Sequence, residues 1–239
     1  MVREKVWRIV EYREIVYTSE HWKLLRRLRR EAIGILEALY RAGIEAYVHG
    51  SIARGDVWSG SDVDVIIPYT VPSYRVEYAL ENSGYTIKAR YIVVATPSST
   101  PKAYIALDDL EKRVVSYPLA KLLPREQEFY RFGGILSLNE LKMDKRVPGV
   151  DKRLVLIEPT KLGHRESPVI GREDVVANIL GVSVDTVLER VRVLTRRDRV
   201  GRTGVFVKYV LGFDETFESA LEEIARKNHW VRRVLYERG

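Results

Sequence analysis

The chain has 239 residues, no cysteine, a formal net charge of +7 and a pI near 9.5. The missing cysteines exclude disulfides, a thiolate zinc site and a cysteine nucleophile, and no apolar run reaches the roughly 18 residues a membrane span needs. Met1-Val2-Arg3-Glu4-Lys5 lacks the apolar segment of a signal peptide, so the expectation is a cytoplasmic protein of one large domain or two small ones. Excess positive charge favours polyanionic partners through counterion release. A second source of the same bias is a thermophile surface: 31% of residues are charged, and Gln127 is the only glutamine.

In chain order, residues 5–17 are β-branched and aromatic with partial alternation, which predicts one extended strand or two short ones. Thr18 or Ser19 then caps a long helix reaching Ala42, closed by Gly43. Leu24, Leu25, Leu28, Ala32, Ile35, Leu36 and Leu39 recur at helical spacing and form its buried stripe. Lys23, Arg26, Arg27, Arg29 and Arg30 crowd its first half, either as a phosphate track or as a solvated face. Ile44 to Val48 predicts a first core strand, and Gly50-Ser51 a tight turn into a short helix. Helix N-terminal N–H groups suit phosphate, Gly50 lets the backbone come close and Ser51 adds a hydroxyl. Arg54 has two roles open, steadying a triphosphate or pairing with Asp56; Trp58 stacks on a base or packs inward, and strand packing is the expectation for His49.

Ten residues lie between Ser51 and Asp62, and Asp62-Val63-Asp64 opens the next apolar run. Residues two apart on a strand face the same side, so two carboxylates stand about 6–7 Å apart with Val63 turned inward. Like charges that close call for a cation, and hard divalent ions such as Mg²⁺ or Mn²⁺ suit oxygen ligands.

Tyr47 to Pro68, with its Gly50-Ser51 turn and the strand Asp62-Val63-Asp64, resembles the signature of the DNA-polymerase-β-like nucleotidyltransferase superfamily. Ala53-Arg54-Gly55-Asp56 and the ending Ser61-Asp62-Val63-Asp64 are most similar to its minimal members. The resemblance implies an α/β (α+β) core, a mixed sheet with flanking helices. It further implies transfer of a nucleoside monophosphate from an NTP to an acceptor hydroxyl, with release of pyrophosphate and a two-metal mechanism. Asp62 and Asp64 would be metal ligands, and Gly50, Ser51 and Arg54 would hold the nucleotide. The superfamily takes a third carboxylate from a later strand. Asp108 or Asp109, ending Ala103 to Leu107, are the candidates; Asp108 is preferred, with a plain turn role as the competitor.

A helix over Ser73–Asn82, strands over Thr86–Ala95 and Lys102–Asp108, and a hairpin partner over Val114–Tyr117 complete the expected core. Residues 118–170 are basic and broken by prolines, with a helix from Pro124 and a strand over Arg153–Ile157. From Glu173 a short helix, with Val175, Val176, Ile179 and Leu180 inward, leads through Gly181-Val182-Ser183 to a second helix. That helix runs from Val184 to about Thr195, with Val187, Leu188, Val191 and Leu194 inward. Val200 to Leu211 reads as a hairpin around Gly201-Arg202-Thr203-Gly204. The set resembles a winged helix, and the whole chain is similar to an archaeal group joining such a module to a nucleotidyltransferase domain. Winged helices often enter the DNA major groove. Arg190, Arg196, Arg197 and Arg202 are therefore the candidates for contact with nucleic acid, RNA or DNA. Phe213–Gly239 reads as one closing helix. The expected domains are 1–118, 119–170 and 171–239, and the alternative function is a nucleic-acid-binding regulator with an inactive or nucleotide-sensing core.

Overall fold

The structure, a computed structural model, describes residues 6–7, 12–201 and 204–238. β1 (Arg13–Val16) precedes α1 (Ser19–Arg41), which Thr18 caps by accepting the His21 N–H on its hydroxyl at 3.2 Å. Most of the extended reading over 5–11 lies outside the described residues. Leu25, Leu28, Ala32, Ile35, Leu36 and Leu39 form the buried stripe of α1. β2 (Tyr47–His49) begins later than the apolar run suggests, because Ile44 still donates its N–H to Leu39 O and closes the helix. Next come α2 (Ser51–Arg54), β3 (Val63–Ile66), α3 (Ser73–Glu81), β4 (Ala89–Val94), β5 (Lys102–Ala106) and β6 (Arg113–Pro118). α4 (Pro124–Gly133), β7 (Ile135–Ser137), α5 (Leu138–Lys142), β8 (Gly149–Val150), β9 (Val155–Pro159) and β10 (Gly163–Pro168) fill the stretch that the sequence left least resolved. α6 (Glu173–Leu180), α7 (Val184–Val200), β11 (Val207–Val210), α8 (Phe217–Lys227) and α9 (His229–Arg238) end the chain.

The chain divides into two compact units, and neither is continuous in sequence. The first takes residues 1–30, 48–61 and 124–203; the second takes 31–47, 62–123 and 204–239. These boundaries differ from the consecutive domains expected, and the expected C-terminal module is divided at 203/204.

The first unit holds an antiparallel sheet in the order β1-β10-β9-β8, with Ile15 opposite His164 and Glu166 opposite Ile157. Its core joins Leu154, Leu156 and Val169 to Phe132 of α4, Val176 and Leu180 of α6, and Val187 of α7. Charge inside this unit is ordered as a chain. Arg153 bridges Asp151 at 2.6 Å and Glu166 at 2.8 Å, while the Tyr17 hydroxyl meets Nδ1 of buried His164 at 2.7 Å. The His164 ring first, and the Arg153 guanidinium against the cost of burial, hold the Glu166 carboxyl down at about 2.

In the second unit the strands run β11-β4-β5-β6-β3, antiparallel except for the parallel pair β3–β6. Alternation sends Val63, Val65, Val115, Tyr117, Ala103, Ile105, Ile92 and Val94 to one buried face. Helices cover that face: the Tyr117 ring meets Phe217 of α8 edge-on at 5.8 Å, and Arg90 pairs with Glu77 of α3 at 3.1 Å.

The hairpin wing is corrected here. β11 is a single strand, and it pairs with β4, Tyr209 opposite Ile92, as the outer strand of the second unit's sheet. Val207 and Tyr209 alternate as a strand should, but alternation does not say which strand is the partner. The tail is two helices, since extended Asn228 (φ −130, ψ 108) breaks it and its side chain accepts the Trp230 N–H at 3.0 Å.

Candidate active site

In the second unit, Val63 is buried and fixes the sense of β3, so Asp62 and Asp64 share the opposite face, where Asp64 is exposed. Lys112, just ahead of β6, sets its ammonium 2.8 Å from Asp62 Oδ1. Continuing across that face, the ladder aligns Ile66 with Ser116, Ser116 with Tyr104, and Tyr104 with Tyr91. The two tyrosine rings stack, centroids 5.2 Å apart and planes within 4°. Lys208 of β11 lies 4.5 Å over the Tyr91 ring. The Tyr91 hydroxyl donates to Glu111 at 3.1 Å, and burial, then Glu111, then Tyr104 and Asp64, push the phenol up. Glu111 takes a left-handed backbone, φ +52, uncommon for a residue with a Cβ. Sequence reasoning missed Lys112, Glu111, Tyr91 and Tyr104. Spacing alone places Lys112 on the carboxylate face, two residues before Val114, once the β3–β6 register is known.

Asp108 has the turn role that competed with the metal role. Its Oδ1 accepts the N–H groups of Leu110 at 3.1 Å and Lys112 at 2.9 Å. Its Oδ2 accepts the N–H of Arg113 at 2.9 Å and the Arg113 Nε at 3.0 Å. Burial works against its charge, but these donors outweigh it and hold the carboxyl below the usual range. Four donors occupy the lone pairs that a metal would need. Asp109 is exposed and pairs with Lys88 at 3.8 Å.

Among the described residues, no three or more of His, Cys, Asp and Glu are grouped to hold a metal ion. The Asp62–Asp64 pair nevertheless fits Mg²⁺, which commonly binds through one or two carboxylates, its own waters and substrate phosphates.

The Gly-Ser turn belongs to the first unit. Gly50 has φ +78 and ψ −138, which only glycine adopts freely, and its N–H donates to Gly134 O at 2.9 Å. Ser51 Oγ donates to Ser61 Oγ at 3.3 Å, and Ser61 Oγ accepts the Trp58 N–H at 3.0 Å. Of the two roles open for Trp58, the ring packs, but at the surface: it is 63% exposed, and its indole lies over Gly60, where a Cβ would come within 2.3 Å of the ring. His49 packs between the rings of Phe129 and Tyr130, as expected.

Arg54 is corrected. It is 6% exposed and grips Asp56 with Nε at 2.9 Å and a terminal nitrogen at 3.0 Å. Its other terminal nitrogen donates to Gly133 O at 2.6 Å, so the guanidinium braces the fold rather than facing a nucleotide.

The helix pair α6–α7 also departs from the reading. Glu128 of α4 accepts the Ser183 N–H at 3.1 Å and the Ser183 hydroxyl at 2.6 Å, and Arg125 pairs with Asp185 at 3.3 Å. α4 therefore ties down the leading end of α7, the end a recognition helix offers to bases, through its cap, while Val184 and Asp185 stay exposed. Arg190 turns inward over the Phe129 ring at 4.9 Å, where burial, then Arg197, brings its pKa down to about 10. Arg196 and Arg197 are exposed, and Arg202 lies outside the described residues. Val175, Ile179 and Leu188, expected inward, are exposed instead.

A family model described as "Nucleotidyltransferase domain" matches residues 29–119. The match spans β3 and its carboxylates, so that stretch is similar to a nucleotidyltransferase domain. No curated protein matches the chain. Among the described residues no helix is long and apolar enough to cross a membrane.

Proposed function

We propose that this protein transfers a nucleoside monophosphate from an NTP to an acceptor hydroxyl and releases pyrophosphate. The observation that carries the proposal is the carboxylate pair Asp62 and Asp64, set on one face of β3 inside the stretch that matches a nucleotidyltransferase domain. Asp62 and Asp64 would hold the divalent cation, with the Lys112 ammonium on Asp62 Oδ1 giving way to it. Bound there, Mg²⁺ or Mn²⁺ would neutralise the triphosphate and lower the acceptor hydroxyl's pKa. In the first unit, the Ser51 N–H and hydroxyl are the groups of the Gly50-Ser51 turn proposed to take phosphate oxygens, since the Gly50 N–H is held by Gly134 O. Asp108 and Arg54 have no direct part, because their polar atoms are committed elsewhere. Positioning and charge stabilisation do most of the work in such transfers.

We read the acceptor as a nucleic acid, supported by the net charge of +7 and by exposed Lys23, Arg26 and Arg30, which line one side of α1. Arg29 of that run is turned inward onto Ile52 O and Lys145 O. A second reading, a nucleotide sensor that binds nucleic acid without transfer, is favoured by one observation: the turn role of Asp108 leaves the carboxylate pair without the expected third member.

The test is pyrophosphate release from each NTP with Mg²⁺ and RNA, DNA or protein as acceptor. Release by the wild type, lost in Asp62→Asn, supports transfer. Mg²⁺-dependent NTP binding without release under any acceptor supports the sensor and sinks the enzyme.

A further inference from the structure

α7 carries two stripes whose composition is odd for a solvated face. Val184, Leu188, Val191 and Thr195 recur at i, i+4, i+7 and i+11, on one line of the helix. Val184 and Leu188 on that line are 42% and 43% exposed, whereas Val191 packs against the core of the first unit and Thr195 is half-buried, so the exposed apolar patch is the leading half of the line. Beside it runs a fully exposed charged line: Asp185, Glu189, Arg192, Arg196 and Arg199. Its charges are segregated, acidic in the first half and basic in the second. Neighbours four apart, Asp185 with Glu189 and Arg192 with Arg196, are like-charged and repel on a lone helix. Arg125 offsets the acidic half by reaching Asp185 at 3.3 Å and Glu189 at 3.7 Å. Among the described residues, no carboxylate pairs with Arg192, Arg196 or Arg199.

We propose that α7 packs antiparallel against α7 of a second copy of this chain. An apolar line beside an acid-then-base line is self-complementary under a two-fold axis, the symmetry of most homodimers. Antiparallel packing sets Asp185 against Arg199 of the second copy and Glu189 against Arg196 of the second copy, each twice by symmetry. Val184 and Leu188 are covered at the same time. Arg192 then meets its own counterpart at the axis, the one unfavourable meeting in the register. The inward face of α7 and the Glu128 brace stay as they are, and Arg125 shares Asp185 and Glu189 with the arginines of the second copy.

The experiment is sedimentation velocity on the full chain from low to high micromolar concentration, at low and high salt. Dimerisation that weakens with salt is expected. Glu189→Arg and Arg196→Glu should each weaken it by about tenfold or more, while the two together in one chain restore it to within about threefold. An equimolar mixture of the two single variants should pair with each other better than either pairs with itself. Leu188→Asp should abolish pairing, and Arg192→Ala should tighten it. All these positions are exposed, and circular dichroism checks that each variant is folded. A wild type that stays monomeric overturns the proposal. So does a dimer indifferent to the charge swaps, or a double swap that fails to recover. A monomer whose Arg196→Glu variant instead loses affinity for duplex RNA assigns the stripe to a polyanion and overturns it equally.

Discussion

The second unit contains two acidic sites built on opposite terms. At Asp108 every donor is supplied by the protein: three backbone N–H groups and a guanidinium converge on one carboxylate. At Asp62 the exposed ammonium of Lys112 sits 2.8 Å from Oδ1, and Asp64, two residues on, is exposed on the same strand face. A carboxylate with its lone pairs filled stabilises a turn and has nothing left for a cation. Two exposed carboxylates on one strand face repel, and a cation shared between them relieves that repulsion. The sites therefore separate by what mutation should cost: function at β3, stability at the turn.

The contrast breaks first at β3. Asp62→Asn or Asp64→Asn should reduce pyrophosphate release by at least about a hundredfold, as expected for loss of a metal ligand. Thermal stability should hold or rise slightly, because a repulsion is removed; a large drop in melting temperature would assign the pair a structural role.

A filled carboxylate in the first unit sharpens the point. Glu166 titrates near 2 in place of 4.5. The unfolded chain takes up its proton first as pH falls, so the stabilisation is complete above about pH 4.5 and is lost toward pH 2. The shift corresponds to about 3 kcal/mol at full ionisation. Urea midpoints against pH should show wild type and Glu166→Gln converging through that window; a constant gap would mean the carboxylate is not held down.

Asp108→Asn comes next. It should cost about 1–2 kcal/mol of stability by leaving Arg113 and one N–H poorly matched, while release per folded molecule stays near wild type. Abolished release at unchanged stability would return Asp108 to the metal site. The smallest effect is that of Lys112→Ala, worth no more than about 0.5 kcal/mol in folding for an exposed pair. It should tighten Mg²⁺ binding about twofold to threefold by calorimetry, since a competing cation is gone.

What was legible in the sequence was local. α1, β3, α3 and the β4–β6 run showed themselves through period, caps and turn residues acting within a few positions. The turn role of Asp108 was legible too, as the competitor of the metal role, because its donors lie two to five residues on. Arg54 was not, since its carbonyl partner Gly133 is 79 residues distant. Nor were the partners of β1, a strand about 150 residues later, and of β11, though both strands themselves showed in the pattern. Alternation marks a strand and its faces, and only the folded register names the neighbour.

The interleaving of the two units bears on how the protein is made. The chain passes from one unit to the other at 30/31, 47/48, 61/62, 123/124 and 203/204. A ribosome emits roughly 5–20 residues each second, so the first unit awaits its helix pair α6–α7 until most of the chain has emerged. The sheet of the second unit offers β4 as a bare edge for longer still, until β11 is translated. An open edge invites pairing with other chains. Nascent chains stalled before residue 207 are thus the species most exposed to aggregation, and no simple truncation yields either unit whole.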